Sequence, residues 1–269
     1  MNYTIEYAWL THPGLCRGLN QDNLICLRSF LPLPEEGNQE DGPLFGCVGP
    51  EPPALFGVFD GMGGEEHGEI AAHLAAQTAA KFPLTDPPLE ALSALCRAAN
   101  DAICSYSASH NIRSTGTTAA MLLFSAEEVS LCNLGDSKIF LYADGELRQI
   151  SEDHVSAGVF GRKPPLSQNL GIPPSELTLK PYFARGAYHD GDLYLICSDG
   201  LTDMVPLDVM EALFASLPFS ELPDALLHTA LAAGGKDNIT LILCRVQREK
   251  RKHILFRKRE KNHGTHRDI

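Results

Sequence analysis

The sequence predicts an α+β fold in which antiparallel sheets are layered between helices. Short apolar runs of four to six residues come in consecutive blocks, and segments with helical spacing separate those blocks. Runs of this length without alternation are typical of strands that are covered on both faces. Because strands and helices do not alternate strictly, a parallel sheet built from repeating strand–helix units is disfavoured.

Two strands are predicted at the start of the chain. Alternate residues from Tyr3 to Trp9 lie on one face of the first strand, and NLICL at 23–27 forms the second after a Pro-Gly break. Residues 31–54 are dense in Pro, Gly and acidic residues and show no apolar period. We therefore expect a long exposed loop there, before a third strand with the sequence LFGVF.

The predicted helices form two pairs. An Ala-rich segment at 66–81 predicts the first helix, and apolar residues spaced by three and four from Leu89 to Ile103 predict the second. A second pair is predicted at about 206–216 and 220–233.

The remaining strands are predicted from five apolar runs, and no internal repeat is present. The runs are AAMLLF, VSLCNL, KIFLY, LYLIC and ITLILC, and the ADGE that follows IFLY is typical of a hairpin turn. Residues 160–191 contain scattered Pro and Gly with weak periodicity, so no element is predicted there.

Composition narrows the class of protein. A chain of 269 residues without an apolar run of about 18 and without the pattern of a signal peptide is expected to be cytoplasmic. The eight cysteines lie mostly in apolar runs and form no C-x-x-C pair. Buried free thiols in a reducing compartment are therefore favoured over disulfides or a zinc site.

The net charge of −12 is unevenly distributed. Residues 245–269 hold 10 of the 22 Lys and Arg but only 3 of the 34 Asp and Glu. The acidic body disfavours nucleic acid as a partner. We expect a solvated basic tail at 247–269; contact with anionic lipid, with an acidic partner or with the body itself are the alternatives.

Five aspartates beside apolar runs are the candidates for chemistry. They are Asp22, Asp60, Asp136, Asp199 and Asp237. Asp-Gly is a common turn dipeptide, so a turn is the simpler explanation for any single one of them. Asp144-Gly145 and Asp190-Gly191 are predicted to be only turns, although the local pattern alone does not separate them from the five.

If the strands form two stacked sheets, several of these carboxylates could meet at one rim. Converging carboxylates repel one another unless cations neutralise them, and oxygen ligands suit Mg²⁺ or Mn²⁺. Gly61 would let a backbone carbonyl approach such an ion closely. A metal pair can activate a water for attack on phosphorus, which makes phosphoester hydrolysis a candidate reaction.

Six segments carry a resemblance to a known family. RGLNQD, FGVFDGMGG, STGTTAA, NLGDSKIFLY, LICSDGLTD and GGKDNIT resemble, in order and spacing, the signature segments of the metal-dependent protein phosphatases, the type 2C serine/threonine phosphatases. The resemblance runs from about residue 3 to residue 246. Met62 in DGMGG makes the bacterial branch of the family the most similar.

The resemblance implies a β-sandwich of two antiparallel sheets flanked by helices, in four α-β-β-α layers, with metal ions at one end between the sheets. It implies one catalytic domain at 1–246, with a shortened flap near 155–190, followed by the basic tail at 247–269. A short flap would leave the substrate cleft more open.

The resemblance also assigns roles to individual residues. Asp60 would bridge two Mn²⁺ or Mg²⁺ ions, the Gly61 carbonyl would bind one of them, and Asp199 and Asp237 would complete the other. Asp22 would hold metal-bound waters, and Asp136 with Asp199 would bind a third ion.

Arg17 would grip the substrate phosphate, because a guanidinium fork binds phosphate oxygens in pairs. A surface ion pair is the simpler role for a lone arginine, but the position of Arg17 in the motif favours phosphate binding. Asn238 would support the Asp237 loop.

The implied reaction is hydrolysis of phosphoserine or phosphothreonine by a metal-activated water, without a phosphoenzyme, with Asp60, Arg17 and Asp237 as the catalytic residues. The implied substrates are phosphorylated proteins, in opposition to a serine/threonine kinase. We expect a monomer.

The resemblance does not identify the residue that donates a proton to the leaving oxygen. Eukaryotic relatives have histidine at the position of Met62, and bacterial relatives often have it at the position of Glu65. The nearest histidine here is His67, which is more often just solvated at such a place. Glu65, His67 and a metal-bound water are the alternatives, while His154 is expected to be structural.

Two other functions compete with a protein phosphatase. The missing histidine and short flap would suit an idle relative that binds phosphoproteins or a partner without hydrolysis. A carboxylate cluster alone would also suit a hydrolase of small phosphoesters or nucleic acid, since fold does not fix function.

Overall fold

Two antiparallel sheets face each other, and helices cover both outer faces. The computed structural model describes residues 3–34, 41–62, 67–126, 128–157 and 164–248. Each sheet has six strands, and all of their pairings are antiparallel. This four-layer arrangement confirms the predicted fold class.

The first sheet is centred on the first and last strands of the described chain. In spatial order its strands are β4 (Asp41–Val48), β1 (Tyr3–His12), β12 (Ile239–Arg248), β11 (Leu193–Cys197), β8 (Lys138–Ala143) and β9 (Glu146–Gln149). The register of β1 and β12 runs from Tyr3 opposite Arg248 to His12 opposite Ile239.

The second sheet lies across the core from the first. In spatial order its strands are β10 (Tyr182–Gly186), β7 (Val129–Leu134), β6 (Ala119–Phe124), β5 (Ala54–Asp60), β2 (Asp22–Cys26) and β3 (Ser29–Phe30). Every residue of β6 and β7 is buried. These runs lack alternation because one face meets the other sheet and the opposite face meets helices.

The helices are divided between the two outer faces. They are α1 (Gly68–Lys81), α2 (Pro88–His110), α3 (Asp199–Thr202), α4 (Leu207–Ser216) and α5 (Leu222–Ala232). Helices α1 and α2 share an apolar layer with the second sheet, and α4 and α5 share one with the first. Alanines fill the buried stripe of α1, so that helix lies close to its sheet.

The central apolar layer lies between the sheets. Phe124 of β6 contacts Phe56 of β5 and Tyr194 of β11, with ring centroids 6.0 and 5.4 Å apart. Burying each such ring contributes roughly 1.5–3 kcal/mol relative to exposure. This layer therefore ties the two sheets into one rigid support for residues at their ends.

The expectation of a long exposed loop at 31–54 is wrong in its second half. Residues 41–48 form β4, an edge strand that pairs with β1. Gly42, Pro43 and Gly46 concealed the strand, because Pro and Gly are tolerated at a sheet edge but weaken a strand signal in sequence. Strands β3 and β10 were not predicted either, and both are short edge strands.

The described ends of several elements also differ from the sequence expectation. Helix α1 begins at Gly68, and Glu66 lies outside the described residues. Strand β2 includes Asp22, which therefore belongs to the sheet itself. The hairpin prediction is confirmed, since Asp144 and Gly145 both have positive φ values, 54° and 85°, between β8 and β9.

All eight cysteines are free thiols, and five of them are buried. In the parts of the chain that the structure describes, no helix has the length and apolar character needed to cross a membrane.

Candidate metal and phosphate site

One pocket gathers most of the predicted site residues at one end of the sandwich. It has a volume of about 220 Å³, and its walls include Met62, Thr118 and Pro164–Leu166. Six of the seven predicted site residues line it: Arg17, Asp60, Gly61, Asp136, Asp199 and Asp237. The seventh, Asp22, is the cross-strand partner of Asp60 and is buried.

The carboxylates converge because each stands where a strand begins or ends. Asp60 is the last residue of β5, and Asp136 lies in the turn between β7 and β8. Asp199 is the first residue of α3, two residues after the end of β11, and Asp237 lies two residues before the start of β12. Antiparallel strands of facing sheets present alternate ends at each pole, so these positions share one rim.

Asp60 is held by two threonines of the STGTTAA segment. Its N–H donates to the Thr118 hydroxyl at 3.0 Å, and the Thr118 N–H donates back to the Asp60 carbonyl at 2.9 Å. The Thr117 hydroxyl donates to the same carbonyl at 2.9 Å. The role of these threonines was not predicted from the sequence, where the available signal was two neighbouring hydroxyl residues just before a buried strand.

A hydroxyl pair joins the Asp60 corner to the Asp136 turn. The Thr118 and Ser137 hydroxyl oxygens lie 2.7 Å apart and are buried. At Gly135 the backbone has a φ of 106°, and a Cβ there would lie 2.6 Å from the Thr118 methyl group. Glycine at 135 is therefore needed for the turn to pack on Thr118.

Gly61 is enclosed by backbone on two sides. A Cβ at this position would lie 2.4 Å from the carbonyl oxygens of both Gln21 and Gly68. Its N–H donates to the Gln21 carbonyl at 3.1 Å. Close backbone packing of β2 and α1 therefore requires glycine here, whether or not its carbonyl binds a metal.

Asp22 is a carboxylate buried beneath the pocket, with a relative exposure of 6%. Its Oδ2 accepts a hydrogen bond from the Ser198 hydroxyl at 2.8 Å, whereas its Oδ1 is buried without a hydrogen-bond partner in the described structure. Burial raises the pKa of Asp22 to about 6, although the hydroxyls of Thr240 and Ser198 offset part of that rise. A buried carboxylate oxygen without a donor suits a bound water or cation.

Arg17 forms an ion pair at the mouth of the pocket. Its Nη2 lies 2.7 Å from Asp237 Oδ2, and the two side chains are 41% and 34% exposed. The hydrogen bond to Asp237 raises the pKa of Arg17, so the guanidinium is charged at every ordinary pH. Arg17 therefore forms the surface ion pair that was the simpler prediction, and it also lines the pocket in which a phosphate would bind.

Asn238 connects the Asp237 loop to the segment that carries Arg17. Its side-chain amide donates to the carbonyls of Pro13 and Leu19 at 2.9 and 3.0 Å, and its Oδ1 accepts from the Gln21 N–H at 2.8 Å. Its own N–H donates to Asp237 Oδ1 at 2.9 Å. These contacts fix the loop that carries Asp237, which is the supporting role predicted for Asn238.

The described pocket walls contain no histidine. Met62 lines the pocket, and Glu65 lies outside the described residues. His67 precedes α1 with its Nδ1 3.7 Å from Glu69 Oε1, and its side chain is about half exposed. His154 has a structural place beside the Asp136 turn, because its ring Nδ1 accepts a hydrogen bond from the Gly135 N–H at 3.4 Å and its backbone N–H donates to the Gly135 carbonyl at 2.8 Å.

The donor set fits hard divalent cations that are bound partly through water. Within the described ranges, no three His, Cys, Asp or Glu side chains already form a cage for one ion. The pocket nevertheless offers carboxylate oxygens from four loops, with the unpartnered Asp22 oxygen beneath them. Oxygen-only ligands with retained waters are the usual environment of Mg²⁺ and Mn²⁺.

A four-layer sandwich with an acidic pocket at one pole is the architecture that the sequence resemblance implied for metal-dependent phosphatases. The family model described as "Protein phosphatase 2C" matches residues 44–243. The chain therefore belongs to the protein phosphatase 2C family.

Two bacterial relatives illustrate the similarity. The serine/threonine protein phosphatase PstP of Mycobacterium tuberculosis is 32% identical over 209 residues, which cover 71% of this chain and 40% of PstP. The serine/threonine phosphatase Stp of Listeria monocytogenes is 30% identical over 226 residues, covering 77% of this chain and 89% of Stp. The chain thus spans less than half the length of PstP.

A solved structure shows the same architecture. The catalytic domain of PstP, in complex with two manganese ions, superposes with a TM-score of 0.72 at 27% identity. The match covers 91% of this chain and the whole of that domain. The family and the branch predicted from sequence are confirmed.

Proposed function

We propose that residues 1–246 form the catalytic domain of a metal-dependent protein serine/threonine phosphatase. The observation that carries the proposal is the single pocket that joins Arg17 to the carboxylates of Asp60, Asp136, Asp199 and Asp237. The names of the relatives, which are serine/threonine phosphatases, support the same activity. Phosphorylated proteins, delivered by an opposing serine/threonine kinase, are the proposed substrates.

Two Mn²⁺ or Mg²⁺ ions are proposed for the pocket, by analogy with the two manganese ions of the PstP domain. Asp60, Gly61, Asp199 and Asp237 would hold them, with Asp22 ordering water beneath. We further propose that Asp136 and Asp199 bind a third ion. When bound, such ions activate water and neutralise charge on the phosphoryl group.

Arg17 would orient the phosphate. Its guanidinium stands at the mouth of the pocket and is already aligned by Asp237, so a phosphate would meet a charged and positioned fork. The ion pair with Asp237 also limits how Arg17 can bind phosphate, because the guanidinium has to divide its N–H donors between the Asp237 carboxylate and the phosphate oxygens.

The pocket favours direct attack by water on phosphorus. The hydroxyl on its described wall, that of Thr118, is engaged with the Asp60 N–H and with Ser137, and cysteine is absent from the described wall. In the proposed reaction a water oxygen bonds to phosphorus, and the bond from phosphorus to the serine or threonine oxygen breaks. One proton of the attacking water stays on the product phosphate and the other is released. The alcohol takes up a proton, for which Glu65, His67 and water are the candidate donors.

The test uses the full chain with Mn²⁺ and a phosphothreonine peptide. Asp60→Asn should lower kcat/KM by at least 10³-fold, while the exposed turn variant Asp144→Asn should retain wild-type activity. Equal, metal-independent turnover in all three proteins would refute the proposal. Faster hydrolysis of nucleotides than of phosphopeptides would assign the pocket to small phosphoesters instead.

The same assay identifies the proton donor. His67→Gln and Glu65→Gln should each be compared with wild type for substrates with good and poor leaving groups. A donor variant loses activity selectively on the poor leaving group, because only that oxygen needs protonation in the transition state. If the ratio of activity on the good leaving group to activity on the poor one is unchanged in both variants, water is the proton donor.

A reducing compartment such as the cytoplasm is the proposed location. The support is that all eight cysteines are free thiols, which is typical of proteins kept in reducing surroundings.

A further inference from the structure

A second acidic concavity lies at the pole opposite the metal and phosphate site. Strand β5 begins at Ala54 beside this concavity and ends at Asp60 in the pocket, about 20 Å away at roughly 3.3 Å per residue. Three loops form a groove of about 540 Å³ there. Its walls include Pro50, Pro53 and Pro87, and we refer to it as the proline groove.

Three carboxylates accompany the proline walls. Glu51 and Asp86 are exposed, whereas Glu128 accepts a hydrogen bond from the Ser130 hydroxyl at 3.2 Å and lies 3.8 Å from Arg185. The positive end of α2 also faces this region, because the helix begins at Pro88. Glu90 in its first turn offsets that partial charge. The groove therefore combines an apolar wall with a net negative rim.

The described chain leaves the fold beside this groove. At the end of β12, the guanidinium of Arg248 lies 5.8 Å from the centre of the Tyr3 ring, and Tyr3 contacts Tyr188 edge to face at 5.3 Å. The Tyr188 hydroxyl donates to the carbonyls of Ser125 and Ala126, at 2.7 and 3.1 Å, and both residues line the groove. Two ring contacts thus separate the end of β12 from the groove.

The next segment of the sequence has the complementary chemistry. Residues 250–259 read KRKHILFRKR and contain six Lys or Arg and no Asp or Glu. Two cationic triplets flank the apolar stretch at 254–256. At about 3.3 Å per extended residue, the segment reaches the groove from Arg248 without a long linker.

We propose that residues 250–259 dock in the proline groove of the same molecule, with the cationic triplets against Glu51 and Asp86 and the apolar stretch on the proline walls. Single exposed ion pairs are weak, but a tethered segment acts at an effective concentration in the millimolar range, so weak pairs suffice. Docking at this pole leaves the metal and phosphate site open and keeps the cationic segment away from other acidic surfaces.

Zero-length cross-linking of the full chain tests the contact. A carbodiimide joins a lysine Nζ to a carboxylate as an amide, with the water removed taken up by the carbodiimide. In dilute protein, the main cross-links of Lys250, Lys252 and Lys258 should be to Glu51 or Asp86 within one molecule. Main cross-links to other carboxylates, or between molecules, would overturn the proposal.

Tryptic release of the tail provides a second readout. The double variant Glu51→Gln/Asp86→Asn should lose the tail at least fivefold faster than wild type. A matched variant on another face, Asp101→Asn/Glu176→Gln, removes the same charge and should behave as wild type. Equal rates in all three proteins, or protection that arises only when phosphatidylserine vesicles are added, would contradict docking on the domain.

Discussion

Replacing Asp22 by asparagine should stabilise the metal-free protein, and the size of the effect should depend on pH. Asp22 is buried, and its pKa rises from 3.8 to about 6 on folding. An acid whose pKa is raised by folding binds its proton more tightly in the native state, so its ionisation opposes folding. The cost is absent well below pH 4, grows between pH 4 and 6, and is complete above pH 6.

The magnitude follows from the shift of about two pKa units. At about 1.4 kcal/mol per unit, ionised Asp22 costs the folded state about 3 kcal/mol at pH 7.5 and about 1 kcal/mol at pH 4.5. Asparagine carries no charge to desolvate, and its oxygen can still accept the Ser198 hydroxyl. Asp22→Asn should therefore gain up to about 3 kcal/mol at pH 7.5, and about 2 kcal/mol less at pH 4.5.

Urea unfolding in the presence of a chelator measures this effect. Trp9, the single tryptophan, is 9% exposed in β1 and reports unfolding through its fluorescence. The exposed turn variant Asp144→Asn should change stability by less than about 0.5 kcal/mol at either pH. A destabilised Asp22→Asn protein at pH 7.5, or a gain that is the same at both pH values, would refute the reasoning.

The remaining predictions concern the loops that carry the site. Asn238→Ala removes three side-chain hydrogen bonds, to Pro13, Leu19 and Gln21, and should cost about 3 kcal/mol by urea unfolding; a cost below about 1 kcal/mol would show that the loops do not depend on it. Gly200→Ala would place a Cβ 2.0 Å from the Asn238 carbonyl oxygen and should weaken Mn²⁺ binding at least tenfold by calorimetry. Gly186→Ala, whose Cβ meets nothing within 4 Å, is its matched control and should bind Mn²⁺ as wild type does.

The buried strands were predictable because burial on both faces leaves an unmistakable apolar run. The runs AAMLLF and VSLCNL became β6 and β7, and both are completely buried. Edge strands carry no such constraint, since one side of the strand is unpaired and one face is often exposed. That is why β4, with Gly42 and Pro43, was read as a loop.

The positions of the aspartates at strand ends suggested that they converge. The hydrogen bonds that hold them in place could not be predicted from the sequence. Ser198 bonds Asp22 across 176 residues of chain, and Thr118 bonds Ser137 between two different turns. Such contacts depend on how the two sheets face each other, and a local pattern contains no information about that. The short helix α3 was missed for a related reason, because four residues are too few to show a helical period.

The first sheet cannot be completed until β12 pairs with β1, so folding of the domain depends on a strand that is distant in sequence. The central strand β12 fills the place between β1 and β11, so the first sheet has a gap until the last strand has been synthesised. Asp237 lies two residues before that strand. A chain that has folded only as far as β11 therefore exposes two unpaired strand edges and lacks one carboxylate of its pocket, so closure of the sheet and completion of the pocket both depend on the arrival of β12.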